Sequence, residues 1–245
     1  MKEIEKFKNN GFFYLNSFLS RKNVKELADA LVNILDTQRN QFEYQLLKSC
    51  GEFNMVRAPL IYDDSFFKFI FNREINDYIN EILGDYYILS LQNGIVVEPN
   101  KEHHQSFYHR DIIYQEFTTS KPLGVNVFLC LTDFNSKTGG TIFLKGSHKK
   151  ESIDLSLEES DLDIPAGSIV FFDPMVYHKA GHNISKNNRI GLNNMYTLPF
   201  IKQQFDFNKI LGDKIQTSFE RNVLGHTSQE FNSVEEFRKY RISKI

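Results

Sequence analysis

The chain has 245 residues, of which 41% are hydrophobic and 24% are charged, an ordinary balance for a globular protein. Its 29 basic and 31 acidic side chains give a net charge of -2, so it lacks the basic excess of nucleic-acid-binding proteins. Residues 1–8 are charged and contain no apolar segment of a secretory signal. No apolar run approaches the roughly 18 residues of a membrane span. We therefore expect a cytoplasmic protein without a nucleic-acid or membrane partner, in which Cys50 and Cys130 are buried free thiols.

The first third of the chain, residues 1–84, is predicted to be mostly helical. Residues 11–16 indicate a short strand that precedes the first long helix. Apolar residues recur at helical spacing over residues 21–35, and Ser20 stands where an N-cap is expected. A second helix is predicted over residues 72–83, because a glycine follows at the position of a C-cap.

Residues 85–199 are rich in short runs of β-branched and aromatic residues, separated by turn signals. These runs are residues 86–92, 94–99, 125–131, 141–144, 168–172 and 190–197. Many short strands without intervening helices indicate an antiparallel sandwich or barrel. Residues 200–245 are polar and predicted to be helical, with Ser233 and Glu236 in the spacing of a capping box. Because no linker or repeat divides the chain, one domain over residues 1–245 is predicted.

The segment Phe107-Tyr-His-Arg-Asp111 places a histidine and an aspartate two residues apart. In a strand such residues face the same side, so His109 and Asp111 can direct an imidazole and a carboxylate at one point. A surface histidine near an acid gives the same pattern, and the motif alone is weak. His178 follows an apolar strand, and a hairpin would bring Arg189 on the next strand close to it. The ordinary alternatives are a satisfied strand histidine and a solvated or structural arginine.

Two histidines and one carboxylate form a ligand set that suits iron(II) and leaves three positions open. A 2-oxo acid can fill two of them and dioxygen the third. The far carboxylate of a 2-oxo diacid then needs a buried cation, and arginine offers a rigid two-pronged donor. The residue types therefore favour an oxygenase that uses iron and a 2-oxo acid.

Four segments occur in an order that is itself informative. They are Phe7-Lys-Asn-Asn-Gly-Phe-Phe-Tyr-Leu-Asn, His109-Arg-Asp111, residues 131–148 ending in Gly-Ser-His148, and His178 with Gly181, Asn183, Ser185 and Arg189. With these segments, most of the chain resembles the phytanoyl-CoA dioxygenase-like (PhyH) family of iron(II)- and 2-oxoglutarate-dependent oxygenases. The resemblance implies an α+β, mainly β fold, with a double-stranded β-helix (jelly-roll) core flanked by N-terminal and C-terminal helices.

The resemblance also implies the cofactors and their ligands. His109, Asp111 and His178 are expected to bind iron(II), Arg189 to anchor 2-oxoglutarate, and dioxygen to be the oxidant. Phe128 stands where the family often has Trp, and Asn126 shares its strand face. Both are expected to line the cosubstrate pocket, although core packing fits that pattern equally well. Two departures from the family pattern are Lys145, in place of a common proline, and Ala180, which lacks a hydroxyl that some members offer to 2-oxoglutarate.

The substrate is expected to be a small molecule, and the oligomeric state is not readable. Asp111 favours hydroxylation, because related halogenases have a small residue there that leaves room for a halide. Candidate substrate contacts are Arg110, Tyr114 and Gln105, with solvent exposure as the simple alternative. His103 and His104 are expected in exposed loops, and His148 in a structural role. Two rival functions are a non-catalytic jelly-roll binding protein and a cupin-type metalloenzyme that does not use 2-oxoglutarate and would not need an arginine anchor.

Overall fold

The computed structural model describes residues 2–101 and 103–243. Its α-helices are α1 (Lys2–Asn10), α2 (Arg21–Arg39), α3 (Tyr44–Ser49), α4 (Asp64–Ile70), α5 (Arg73–Leu83), α6 (Phe207–Leu211), α7 (Ser218–Val223) and α8 (Val234–Ile242). Its strands are β1 (Phe12–Leu15), β2 (Met55–Arg57), β3 (Ile88–Val97), β4 (Gly124–Cys130), β5 (Thr141–Leu144), β6 (Glu159–Asp161), β7 (Ile169–Phe172), β8 (His178–Ala180) and β9 (Arg189–Thr197). Short 3-10 helices lie at Pro59–Ile61, Ser147–Lys149, Gly212–Lys214 and His226–Ser228.

The strands form two antiparallel sheets. The larger sheet has six strands in the order β1-β7-β4-β9-β3-β2, and the smaller has three in the order β6-β5-β8. The antiparallel sheets and flanking helices confirm that part of the predicted fold. The expectation of a mainly β chain is wrong, because α-helices occupy more of the described residues than strands do.

Residues 86–97 correct the predicted strand boundaries. The two runs predicted there form one continuous strand, β3, with an irregularity between Leu89 and Leu91. Gly94 lies inside this strand because α2 packs directly on it. A Cβ at Gly94 would lie 2.6 Å from Leu31 Cδ1, so a glycine is required for that close approach rather than for a turn.

The predicted N-terminal helices are confirmed, together with their caps. Asn23 N donates to Ser20 Oγ at 3.2 Å at the start of α2, and Ile75 N donates to the Asn72 side chain at 3.2 Å at the start of α5. The α5 helix ends at Gly84, as predicted. These caps satisfy N–H groups that would otherwise lack a partner at the helix ends.

Two apolar clusters hold the layers together. One packs the helices against the larger sheet and includes Leu31, Ile79 and Phe171. The other fills the space between the two sheets and includes Phe143 from the smaller sheet and Phe172 from the larger one. Burying each such side chain contributes on the order of 2 kcal/mol relative to exposure. Polar side chains lie at one end of the second cluster, and the candidate functional site is at that end.

Two smaller expectations need correction. Ser233 Oγ accepts from Glu236 N at 3.0 Å, but the Glu236 carboxylate accepts from Asn232 N, so the predicted capping box is incomplete. Cys130 is buried as expected, whereas Cys50 is exposed. None of the described helices is long and apolar enough to cross a membrane.

Candidate metal centre and cosubstrate pocket

Three side chains with metal-binding atoms converge at one end of the space between the sheets. The ligand atoms of His109, Asp111 and His178 lie within 4.8 Å of one another. The Nε2 atoms of the two histidines lie 3.9 and 3.8 Å from Asp111 Oδ1. Metal-to-nitrogen and metal-to-oxygen bonds of about 2.0–2.2 Å span such separations. In the described ranges no other set of three His, Cys, Asp or Glu side chains comes together in this way.

The backbone fixes this convergence. His178 begins β8, and His109 pairs with it through two reciprocal hydrogen bonds, from His109 N at 3.0 Å and from His178 N at 3.1 Å. Two residues further on, Asp111 N donates to Pro174 O at 2.9 Å. The isolated bridge at His109 and the bond from Asp111 to Pro174 therefore fix both ends of this segment beside His178.

Hydrogen bonds also set the tautomer of each histidine. The Nδ1 atoms of His109 and His178 lie 2.9 and 3.0 Å from the carbonyl oxygens of Phe107 and Val176. A carbonyl only accepts, so each Nδ1 carries the hydrogen and each Nε2 presents its lone pair to the cluster. Burial lowers the pKa of His178 to about 4, which keeps its ring neutral. His109 Nε2 is buried and has no hydrogen-bond partner among the described residues. This donor set therefore fits a divalent metal.

A chain of buried amides orients the aspartate. Asn126 Nδ2 donates to Asp111 Oδ2 at 2.8 Å, and Asn193 Nδ2 donates to Asn126 Oδ1 at 2.8 Å. Oδ2 is thereby held away from the histidines and Oδ1 is left facing them. Asn126, predicted to line the cosubstrate pocket, instead directs its side chain to Asp111. Sequence alternation placed it on the correct strand face but could not show its partner.

Arg189 lies beside the cluster as a buried cation. It is 2% exposed, its Nε has no hydrogen-bond partner among the described residues, and its guanidinium lies 4.6 Å over the Phe134 ring. Burial lowers its pKa to about 10, which still leaves it charged at neutral pH. A buried charge without a counter-ion costs several kcal/mol, which an anionic ligand offsets. The carboxylate of a 2-oxo diacid is such a ligand.

A small pocket of about 30 Å³ connects these groups. It is lined by His109, Asp111, His178, Arg189, Phe128, Asn193, Gln105, Thr141, Lys179 and three further apolar residues, Ile95, Phe172 and Ala180. Phe128 lies in this lining, as predicted. Its ring is pressed against Gly191, where a Cβ would be 2.3 Å from Phe128 Cζ. The glycine therefore lets the ring lie flat at the pocket wall.

The predicted substrate residues have different positions. Gln105 lines the pocket, and its carbonyl oxygen accepts from Ala180 N at 2.8 Å. Tyr114 is 89% exposed and is not part of the pocket lining. Arg110 is buried, and its guanidinium donates to backbone carbonyls and stacks on Tyr177 at 4.1 Å. Those carbonyls belong to Ser147, Lys150, Glu151 and Met175. Arg110 thus holds the neighbouring loops together through hydrogen bonds and does not line the pocket.

Three histidines outside the cluster also have clear positions. His103 is only 4% exposed, so its predicted exposure is wrong, whereas His104 is exposed. The two rings stack with centroids 4.4 Å apart, and this stacking shields His103. His148 Nε2 lies 3.2 Å from Lys8 O, and the ring packs against Gly11, so it ties α1 to the loop after β5. Thr141 and Asn193 are pocket residues that motif analysis missed, because neither belongs to a recognisable spacing.

Comparison with known proteins identifies the family. A family model described as phytanoyl-CoA dioxygenase (PhyH) matches residues 7–191. The chain belongs to the phytanoyl-CoA dioxygenase (PhyH) family. The resemblance seen in the sequence is thus confirmed, and with it the enzyme class, a 2-oxoglutarate-dependent dioxygenase. The family uses iron(II), 2-oxoglutarate and dioxygen, and acts on small molecules.

Individual relatives of this PhyH protein extend the comparison. An uncharacterized protein of Mycobacterium bovis is 25% identical over 239 residues, covering 93% of this chain and 87% of the relative. The dioxygenase olcK of Penicillium canescens is 32% identical over 117 residues, covering 44% and 38% of the two chains. The crystal structure of SnoK, a non-heme alpha ketoglutarate dependent carbocyclase from nogalamycin biosynthesis, superposes with a TM-score of 0.65 at 15% identity. It covers 81% of this chain and 83% of that chain, which shows a shared fold.

Proposed function

We propose that this protein oxidises an aliphatic C–H bond of a small-molecule metabolite, by hydroxylation, and releases succinate and carbon dioxide from 2-oxoglutarate. The observation that carries this proposal is the convergence of His109, Asp111, His178 and the unpaired Arg189 on one pocket. A protein that only bound a metal would have no use for the buried arginine. We further propose that the two sheets are the halves of a double-stranded β-helix and that residues 1–245 make one domain.

Each residue has a definite role in this proposal. His109, Asp111 and His178 hold iron(II) through Nε2, Oδ1 and Nε2, and Asn126 keeps the carboxylate in the required rotamer. Arg189 binds the far carboxylate of 2-oxoglutarate. When bound, iron with 2-oxoglutarate and dioxygen supplies the oxidising power, which the protein side chains lack.

The apolar walls of the pocket keep water away from the reacting groups. Phe128, Phe172 and Ile95 line it beside the ligands, and each is 7% exposed or less. Excluding water strengthens the interaction of Arg189 with an anion, because the local dielectric constant falls. It also protects the reacting centre from side reactions.

The carboxylate of Asp111 supports hydroxylation over halogenation. Its Oδ1 faces both histidines at 3.8–3.9 Å, in the position where a halide would otherwise bind the metal. Gln105, whose side chain lies at the pocket next to His109, is the best placed of the proposed substrate contacts. For Arg110 and Tyr114 the structure supports no such role, because one is bound to carbonyls and the other points to solvent.

The test is succinate formation from 2-oxoglutarate by the iron-loaded protein under air, in the native form and in Asp111→Ala and His178→Ala variants. We expect both variants to lose at least 99% of the activity and to bind manganese(II) at least a hundredfold more weakly. His182→Ala is the matched control, because His182 is exposed and lies outside the cluster. Full activity in His178→Ala would refute the ligand assignment. Iron binding without any 2-oxoglutarate turnover would favour the cupin-type alternative, and no metal binding at all would favour the non-catalytic binding protein.

A further inference from the structure

A second, larger cavity lies beside the metal pocket. It has a volume of about 460 Å³ and occupies the edge of the larger sheet at β2, under α3 and the end of α2. Met55 and Arg57 of β2 contribute to its wall, together with Leu46, Leu47, Phe42 and Phe205. Pockets of 300–1,000 Å³ with mostly apolar walls are typical of small-molecule sites. The metal pocket, at about 30 Å³, is much the smaller of the two.

Strand register connects the two cavities. Met55 lines the large cavity and pairs directly with Ile95, which lines the metal pocket. Arg57 pairs with Asn93, and Asn93 in turn pairs with the pocket residue Asn193. Directly opposed residues of antiparallel strands point to the same face. Met55 and Ile95 therefore point to the same sheet face, one strand spacing or about 5 Å apart, so the large cavity borders a wall residue of the metal pocket.

The stacked histidines stand between the cavities. The His104 ring lies against Gly51, where a Cβ would be 3.1 Å from His104 Cγ, and Gly51 follows directly on the cavity residue Cys50. His103 stacks on His104 and precedes the metal-pocket residue Gln105 by two residues. The stacked pair therefore connects the surroundings of the large cavity, at Gly51, with the metal pocket, at Gln105.

The charges around the large cavity are already neutralised by the protein. Arg57 binds Glu52 through both nitrogens of its fork, with Nε 2.7 Å from Oε2. Arg39 donates to Phe53 O at 2.6 Å and to the Asn54 side chain, with its guanidinium 3.8 Å over the Phe53 ring. Arg39 Nη1 also lies 3.9 Å from Asp36 Oδ1, so each of the two arginines already has a carboxylate partner. Exposed apolar side chains at the rim, 62% for Phe42 and 59% for Leu46, favour an apolar ligand instead.

We propose that this cavity binds the uncharged, apolar body of the enzyme's own small-molecule substrate and directs its reacting carbon toward the metal pocket. The inference rests on the proposed function and adds the substrate class to it. A ligand bearing a carboxylate, phosphate or ammonium group is disfavoured in this cavity, because it would have to displace one partner of an existing ion pair. Selectivity then comes from shape and apolar contact.

The first experiment measures binding with a neutral fluorescent probe, N-phenyl-1-naphthylamine, on the zinc-loaded protein. We expect 1-decanol to displace the probe at a concentration at least tenfold lower than decanoate or decylammonium. Leu46→Glu places a charge at the rim and should weaken probe binding at least tenfold. Leu155→Glu is the matched control, because Leu155 is 70% exposed and lies outside the cavity. Equal binding to Leu46→Glu and native protein, or tighter binding of decanoate than of decanol, would overturn the proposal.

The second experiment tests the connection to the metal. With manganese(II) in place of zinc, a decanol molecule in a cavity that borders the metal pocket should show strong paramagnetic broadening of its proton signals, graded along the chain. Decanol that binds without broadening would overturn the link between the cavities. This broadening does not depend on catalysis, because it requires only that manganese(II) and decanol are bound. Absence of 2-oxoglutarate turnover would therefore count against the proposed function alone. Normal turnover of an identified substrate by Leu46→Glu would count against this inference alone.

Discussion

Removing the Asn126 side chain should weaken metal binding without touching a ligand. In Asn126→Ala, Asp111 Oδ2 loses its 2.8 Å hydrogen bond and Asn193 Nδ2 loses its acceptor. A hydrogen bond to a charged group contributes about 1.5–3 kcal/mol. Loss of a group that orients a metal ligand typically lowers metal affinity 10–100-fold, or about 1.4–2.7 kcal/mol. We therefore expect the dissociation constant for manganese(II) to rise 10–100-fold.

The assay is competition for manganese(II) against a fluorescent chelator, with urea unfolding run in parallel. Asn194→Ala is the control. Asn194 follows Asn193 on β9 and is buried like Asn126, but it accepts a hydrogen bond from Gln92 at 2.9 Å on the opposite face of the sheet. It should lose stability but keep its metal affinity. A manganese affinity of Asn126→Ala within twofold of native, or equal losses in both variants, would refute the role of Asn126 in holding Asp111.

Three further predictions concern the surroundings of the pocket. Gly191→Ala should lower 2-oxoglutarate affinity at least tenfold by calorimetry, because the new Cβ would lie 2.3 Å from the Phe128 ring and push it into the pocket; an unchanged affinity would contradict this. Arg110→Met should lower the free energy of unfolding in urea by about 3 kcal/mol, because four carbonyls lose their donor. The affinity for 2-oxoglutarate should not change. Weaker 2-oxoglutarate binding at unchanged stability would restore Arg110 as a ligand contact. Burial raises the pKa of Asp173 from 3.8 to about 7, so the native state retains a proton that the unfolded chain releases, and stability should fall as pH rises from about 4 to 7. This loss of unfolding free energy is at most about 4 kcal/mol, and Asp173→Asn should reduce it when urea unfolding is compared at pH 5 and pH 8. An equally large loss in the variant would refute the role of Asp173.

Local sequence signals were sufficient for the parts of the site that one strand defines. The two-residue spacing of His109 and Asp111 was enough to predict that both side chains reach one cluster. Arg110, which stands between them, was predicted as a substrate contact and instead donates to backbone carbonyls of distant residues, which the spacing could not show. The cap at Ser20 and the helix end at Gly84 were equally local.

Contacts between distant segments could not be read from the sequence. Asn126 meets Asp111 across 15 residues, and Asn193 meets Asn126 across 67. Gly94 was predicted at the start of a separate strand, yet its role is to admit Leu31 from α2. In each case the decisive partner belongs to a different element.

The most direct test of the proposed function is anaerobic addition of 2-oxoglutarate to the iron(II)-loaded protein, followed by visible absorption. We expect a metal-to-ligand charge-transfer band in the native protein. Reaching half of its amplitude should require about a hundredfold more 2-oxoglutarate in Arg189→Ala, since losing one partner of a buried charge pair costs about 3 kcal/mol. Iron that binds without producing a band, or a band of equal affinity in both proteins, would contradict the assignment of this pocket to 2-oxoglutarate.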